Sequence, residues 1–526
     1  MGRLHRVLWI GLIAFLSYGF ILAGIVSDVQ VAGGYLYETW TDHTTIYDLT
    51  VDPPVVVSTI EYPESLSYPD QDQYFAINAV VEKNRLYIYY YYANFDNGIR
   101  IYDLTTLESP ELLDILFLYS HYYGNIQGGM LANREMLPNP SYPYGQFLAH
   151  DDTVLFTGGY WGGSSPVSFF FLYDSVSKER KMISTGTGNP YPCSAYSNFA
   201  GYSPVFFVDF SDRLLIYTYY QFYETLLNGY LDNYQVCFTK YFPEGDNPYY
   251  DGQIAGPMVK NKGLIIARWF GYMYSLLGSG LAIMDFSEID HFEVKVVSDF
   301  YCTYLATHGT DSDDMGEDFW NSLTDVQDIL VHNDEIYLSS FHTRSIAHTY
   351  QNKDWGTDLA CADYWGFYDI PETGRPYGIA AANGTLYVAG KDKRYNFPLA
   401  KPDAELPVGG ITSMEFSENE ISISGSAYDP EGVRDVFLRL DNQYSFLAKN
   451  SSYYDRSHSR PMELTEEERL TCEWTVKIDT NKVNAGNYTM KVIAEDMDGD
   501  FSVIHEEVVE IPSIIKKRAD MGQNDE

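Results

Sequence analysis

Five apolar runs in this chain each end in an aspartate and then turn, and that recurrence limits the fold more than any other feature. The runs are Thr44-Thr45-Ile46-Tyr47-Asp48, Ile99-Arg100-Ile101-Tyr102-Asp103, Phe170-Phe171-Leu172-Tyr173-Asp174, Leu281-Ala282-Ile283-Met284-Asp285 and Trp365-Gly366-Phe367-Tyr368-Asp369. The widest gap holds a degenerate middle copy, Val236-Cys237-Phe238-Thr239, with Thr239 in the aspartate position. Recurrence at intervals of about 40–70 residues, in strand-like sequence, describes supersecondary units that bury their faces against one another.

Each run is preceded by a second recurrence: an apolar strand, a tight polar turn and an aromatic-rich strand. Residues 76–81 turn through Glu82-Lys83-Asn84-Arg85 into 86–92, and 205–210 turn through Ser211-Asp212-Arg213 into 214–220. The same pattern joins 146–150 to 154–157, 257–260 to 264–270, 326–332 to 336–341 and 378–382 to 386–389, with a weaker copy in 25–31 and 35–40. We name these strands A and B, the aspartate strand C and the following run D, as at 55–60, 112–118 and 294–300. Four antiparallel strands per unit, repeated about an axis, make a β-propeller blade. The expectation is an all-β chain with six or seven four-stranded blades, and the seven A–B pairs favour seven. The aspartate closing strand C is expected to accept hydrogen bonds from amides of the next turn, a structural duty.

The aspartate-terminated runs resemble the LVIVD-repeat β-propeller family, over about residues 25–395. We place the propeller at 27–397. The fourth unit departs from the pattern at Thr239, and no C strand is visible after Ala389. The A–B turns read as tight. Long B–C connections are expected at 160–168, 222–233 and 342–363, and long D–A connections at 62–74, 119–145, 183–203, 242–256 and 301–325. Both connection types leave an antiparallel blade at the same end, so the expectation is one loop-rich face, where binding residues sit on a rigid scaffold.

After a linker at 398–407 the pattern changes. Ile421-Ser422-Ile423-Ser424-Gly425 alternates, and Trp474-Thr475-Val476-Lys477-Ile478 repeats that alternation. Period-two patterning with Gly and Asp turns predicts an antiparallel sandwich over 408–512. The order Gly425, Asp429, Gly432-Val433, Asp441, Trp474, Gly486, Ala494-Glu495-Asp496, Gly499 resembles the Ig-like modules of bacterial and archaeal surface proteins. A lone Cys472 excludes an inter-sheet disulfide within it. The insertion at 442–470 holds Thr465 before Glu466-Glu467-Glu468, the start signal of a short helix. The resemblance implies a spacer. A polar tail, 513–526, follows.

Basic residues Arg3, His5 and Arg6 precede an uncharged stretch at 7–26, the pattern of an export signal and also long enough to span a bilayer. Residues 1–26 are therefore a signal peptide or a signal anchor, and either places the folded part at the cell surface or outside the cell. Formal net charge is −39, which repels phosphate backbones and argues against a nucleic-acid partner. The five cysteines show no zinc spacing. Asn383-Gly384-Thr385, Asn450-Ser451-Ser452 and Asn487-Tyr488-Thr489 are glycosylation acceptor triplets.

No GxSxG, HExxH or phosphate-cradling glycine loop is present, and no catalytic residue is assigned. Aromatic and loop positions on the expected binding face are Tyr160, Trp161, Trp269, Trp320, His342, Arg344 and Trp355; aromatic rings there suit stacking on sugars. The densest acidic loop holds Asp311, Asp313, Asp314 and Glu317, oxygen ligands that suit calcium, with a solvated acidic loop as the alternative. The reading is an exported binding or adhesion scaffold for a protein or glycan at the cell envelope. Its rivals are a secreted propeller enzyme acting on carbohydrate and a purely structural envelope protein.

Overall fold

In a computed structural model, the structure describes residues 26–62, 74–92, 96–119, 147–150, 153–162, 165–184, 205–210, 213–218, 221–226, 239–241, 252–261, 264–271, 279–285, 293–299, 326–333, 335–340, 345–349, 365–370, 378–390, 393–399, 405–417, 419–450, 470–496 and 498–512. Its regular structure is all-β and its first part is propeller-like. Among the described residues, seven consecutive antiparallel sheets follow one another along the chain, six with four strands and the seventh with three.

Within each sheet the strands pair in sequence order. Sheet 1 is β1 (Val26–Ala32), β2 (Tyr35–Trp40), β3 (His43–Asp48) and β4 (Val55–Glu61). The first strands of the sheets pack in a ring: β1, β5 (Tyr74–Glu82), β9 (Phe147–His150), β13 (Val205–Phe210), β17 (Gly252–Asn261), β21 (Val326–His332) and β25 (Ile379–Ala382), which returns to β1. Every A–B hairpin closes over two residues, as Ala32↔Tyr35, Glu82↔Arg85, His332↔Glu335 and Ala382↔Thr385 show. Such turns need left-handed backbone, and Gly33, Lys83, Asn333 and Asn383 supply it with φ of 56°, 56°, 50° and 47°. Among the described residues, apolar and aromatic side chains fill the gaps between sheets 1 and 2, 2 and 3, and 6 and 7. Tyr35, Tyr37, Ile46, Ala79, Leu86 and Ile88 form one buried cluster linking sheets 1 and 2.

Three expectations about strands are corrected. Trp365–Asp369 is the fourth strand of sheet 6, and the third is Ser345–Thr349. In sheet 4 the third strand is Gln221–Leu226, and Thr239 opens the short fourth strand Thr239–Tyr241. Sheet 7 does have a third strand, Tyr395–Pro398. The misreading in sheet 4 has a physical cause: its second and third strands pair as far as Thr218↔Gln221, and the intervening sequence Tyr219-Tyr220 carries no turn signature, whereas Asn228-Gly229 does.

The loop arithmetic changes with it. Strand β10 (Thr153–Gly162) runs on through Tyr160 and Trp161 and pairs with β11 (Ser165–Asp174) across residues 163–164 alone. Residues 341–344 join B to C in sheet 6, and 350–364 join C to D. The long connections between fourth and first strands remain. Connections 227–238 and 350–364 follow third strands, so long connections are not confined to the B–C and D–A positions.

The seam of the ring lies between sheets 7 and 1. The Val26 amide donates to the Gly390 carbonyl at 3.2 Å, and Arg394 pairs with Glu38 while its guanidinium lies 4.6 Å from the Tyr47 ring centroid. A charge pair this well covered is held by geometry and by the rings around it.

Among the described residues, the second module has two four-stranded sheets, ordered β28-β29-β33-β32 and β31-β30-β34-β35. They are formed by β28 (Val408–Phe416), β29 (Glu420–Tyr428), β30 (Val433–Leu440), β31 (Tyr444–Leu447), β32 (Lys449–Asn450), β33 (Thr471–Asp479), β34 (Gly486–Asp496) and β35 (Phe501–Ile511). Alternate residues of β29 and β33 point inward, and Ile421, Ile423, Trp474, Val476 and Ile478 meet Leu438, Met490 and Val492 in one buried core. Part of the expected insertion is thus strand, at 444–447 and 449–450, while Thr465 and its glutamates lie outside the described residues.

The module does not stand off from the ring. It packs on the A–B turns of sheets 7, 1 and 2 and of sheet 6, which corrects the expectation of an extended spacer. Val26, Val29, Leu36, Ala380, Ala382 and Tyr387 of the ring share a buried cluster with Phe437, Ile493 and Phe501 of the module.

Candidate functional site

Among the described residues, two positions concentrate buried charge: the inner strands of the ring and the seat of the second module. On β1 a bulge between Val26 and Asp28 turns Asp28 toward the neighbouring sheets. Its Oδ1 accepts the Val29 amide at 2.8 Å and its Oδ2 accepts the Ala79 amide of sheet 2 at 2.8 Å. On β21 a bulge between Val326 and Asp328 repeats the arrangement. Asp328 accepts the Ile329 amide at 2.9 Å and the Ile379 amide of sheet 7 at 3.0 Å. Each carboxylate therefore staples its own sheet to the next.

Burial pushes the Asp28 carboxyl up to about 8, with the charge of Asp328 adding to the effect and the amide bonds opposing it. Asp328, which keeps part of its surface open, is raised in the same direction by burial. The approach is close on the other side too: a Cβ on Gly378 would lie 2.0 Å from Asp28 Oδ1. With both oxygens of both carboxylates engaged by amides, these groups act as structural acceptors.

The seat of the module is assembled from turns. Gly33 donates its amide to Glu495 Oε2 at 2.9 Å, and its carbonyl accepts Arg439, whose guanidinium lies 3.2 Å from the Tyr35 ring centroid. Burial pulls the Arg439 pKa down, and burial raises that of Tyr35 to about 12. Arg434 closes the network on Glu495 Oε1. A Cβ on Gly33 would lie 2.9 Å from the Phe437 ring, so the left-handed turn and the close approach both require glycine there. On sheet 2 the Leu107 amide donates to the Gln443 carbonyl at 3.0 Å and the Ser445 amide to the Thr105 carbonyl at 2.9 Å.

On sheets 6 and 7 the module presents the turn 496–500. Asp496 Oδ1 accepts the amides of Asp498, Gly499 and Asp500 at 2.9, 2.8 and 3.0 Å, which fixes the turn. Asn383 donates its amide to Asp500 Oδ1, and its own Oδ1 accepts the Phe501 amide at 3.0 Å. His332 is fully buried, with Nδ1 3.0 Å from the Asp498 carbonyl and Nε2 3.3 Å from Asp500 Oδ2. Burial alone would lower the His332 pKa, but the bond and charge of Asp500 outweigh it, and the net direction is upward. Burial raises the Asp500 pKa, the same pairing outweighs it, and the net direction is downward.

Of the sequence-derived positions, Tyr160 and Trp161 lie in β10 opposite Val167 and Pro166. Trp269 lies in β18 (Leu264–Gly271) opposite Ile254 and Gly280. All three fall near the B–C ends of their strands, away from the seat of the module. Trp320, His342, Arg344 and Trp355, and the acidic Asp311, Asp313, Asp314 and Glu317, lie outside the described residues. Among the described residues no group of three or more His, Cys, Asp or Glu side chains could hold a metal ion.

Sequence reasoning did find the turn role of the C-strand aspartates. Asp48 accepts the Thr50 amide at 2.8 Å, Asp103 the Thr105 amide at 2.7 Å, and Asp174 the Val176 and Ser177 amides at 2.9 and 2.7 Å. It missed Asp28, Asp328 and His332. The available signal was the repeat Val26-Ser27-Asp28-Val29 and Val326-Gln327-Asp328-Ile329, an acid inside an apolar inner strand.

No protein-family model matches the chain, and no curated protein sequence matches it. Solved structures with some likeness include the extracellular domain of the putative hybrid two-component system BT4673 from B. thetaiotaomicron, with 10% identity and a TM-score of 0.40, covering 91% of this chain and 51% of that one. Drosophila Semaphorin 2a has 10% identity and a TM-score of 0.37, covering 89% of this chain and 94% of its own. The β-propeller domain of the Trilobed protease from Pyrococcus furiosus has 11% identity and a TM-score of 0.35, covering 71% and 92%. The propeller-like description rests on the ring of sheets itself. Among the described residues no helix is long and apolar enough to cross a membrane, and residues 1–25 lie outside them.

Proposed function

We propose that this chain is an exported binding scaffold, at the cell surface or secreted, built as a seven-bladed propeller of LVIVD-like repeats with an Ig-like sandwich docked on its A–B turns. The observation that carries this reading is the occupied seat. Bonds from Gly33, Leu107, His332 and Asn383 join sheets 1, 2, 6 and 7 to the second module at the A–B end of the ring. The B–C hairpins and D–A connections emerge at the other end and are the part left to meet a protein or glycan ligand. Tyr160, Trp161 and Trp269 fall toward that end of their strands, and aromatic residues there suit stacking on sugar rings or anchoring a protein partner.

The test is a thermal-melt screen of residues 27–526 against a polysaccharide panel and calcium. It is paired with capture assays on Trp161→Ala and Trp269→Ala. The reading expects a melting shift with one glycan or capture of one protein, lost in these variants at unchanged melting temperature. Capture that survives in both variants would move the binding surface elsewhere.

A further inference from the structure

We propose that the seat of the second module carries a proton-operated latch: His332 of sheet 6, clasped between the Asp498 carbonyl and the Asp500 carboxylate, holds turn 496–500 when protonated and releases it when neutral.

The argument is geometric. A carbonyl oxygen can only accept, so the nitrogen 3.0 Å from it, Nδ1, must carry a proton. Nε2 lies 3.3 Å from Asp500 Oδ2, an ion-pair distance without hydrogen-bond alignment, and a carboxylate this close in a buried site favours a proton on that nitrogen as well. A neutral imidazole has one N–H and cannot serve both. Loss of the proton leaves either a carbonyl facing a bare ring nitrogen or a carboxylate facing one, in a site where the imidazole and Asp500 are both fully buried. The turn is not tethered by His332 alone. Asn333 donates its amide to Asp498 Oδ2 at 3.1 Å, and Asn383 and Phe501 exchange bonds beside it. The latch therefore governs local opening of the turn rather than detachment of the module.

The charged groups facing the imidazole are Asp498 and Asp500, with Asp496 behind them coupled to both. On its own hairpin Glu335 is the cross-strand partner of His332, and it accepts the Tyr337 hydroxyl at 2.6 Å. Sheet 7 contributes the neutral Asn383. The sign follows from the raised His332 and lowered Asp500. The pair contributes fully from about pH 4 to the ordinary histidine range near 6.5, and it is lost as pH rises through the higher folded value. Asp496, pushed up to about 8 chiefly by burial, titrates in the same direction, so the variants must separate the two.

The experiment is hydrogen exchange on the full chain between pH 6 and pH 9, corrected for intrinsic rates and read on peptides covering 494–503 and 379–385. The expected result for the wild type is an opening population that grows about tenfold over this range, the size of one lost charge-assisted bond. Peptides from the module core around Trp474 should stay unchanged. His332→Gln should be open at both pH values with no rise between them. Asp500→Asn, which keeps the shape of the side chain, should also lose the pH dependence. A wild type that shows no pH dependence, or variants that keep the same rise, would overturn the latch.

Discussion

Two sets of aspartates hold this molecule in different ways. Those at the ends of the third strands, Asp48, Asp103 and Asp174, accept amides two or three residues ahead and shape their own turns. Those on the inner strands, Asp28 and Asp328, reach across a sheet boundary and fix the spacing of the ring. The first set is local and repeated. The second is non-local and tied to a bulge. A turn aspartate contributes stability to one sheet, whereas an inner one couples neighbours, so damage to it should spread.

The largest effect should follow Asp28→Ala, which strands the Val29 and Ala79 amides in the core. We expect a loss of about 3 kcal/mol at pH 5 by urea unfolding, from two buried donors at about 1–3 kcal/mol each. Because the Asp28 pKa is raised, its contribution is fullest below the ordinary carboxylate value and fades as pH climbs through about 8. The gap between wild type and variant should therefore narrow at alkaline pH, and a gap that widens would reverse the assignment. Gly378→Ala comes next, with an expected loss of about 2 kcal/mol, because the new methyl displaces the same carboxylate. If it were neutral, the inner strands would be looser than the staple implies.

Asp48→Ala and Asp103→Ala should each lower stability by about 1–2 kcal/mol, as for a lost cap, with ligand capture unaffected. Loss of capture at unchanged melting temperature would make these residues functional instead. The smallest effect is expected for Asp174→Ala, about 0.5–1 kcal/mol, because its turn at Val176 is open to water. An effect equal to that of Asp28→Ala would erase the distinction between the two sets.

The same distinction sets how much was legible in the sequence. Strand pairs with a two-residue polar turn, such as Lys83-Asn84 or Asn383-Gly384, announce themselves because turn chemistry and period-two patterning coincide. The turn duty of Asp48 was readable because it is settled within three residues. The staple from Asp28 to Ala79 was not, since neither residue is unusual until the ring brings their strands together. His332 and Asp500 were each visible, but as an ordinary strand end and an acidic turn. The docking of the module was hidden by a proline-bearing linker that looks like a spacer. Its evidence lies in Gly33, whose missing side chain has meaning only beside Phe437.

The bond from Gly33 to Glu495 spans 462 positions of the chain. If synthesis proceeds at about 5–20 residues per second, the turn of the first sheet waits on the order of 20–90 s for its partner to be made. Until Phe437 and Phe501 are made, Leu36, and later Ala380, lack the side chains that cover them in the finished molecule. The first sheet to emerge is therefore among the last to be completed, and a chain stopped short of the second module leaves its oldest surface bare.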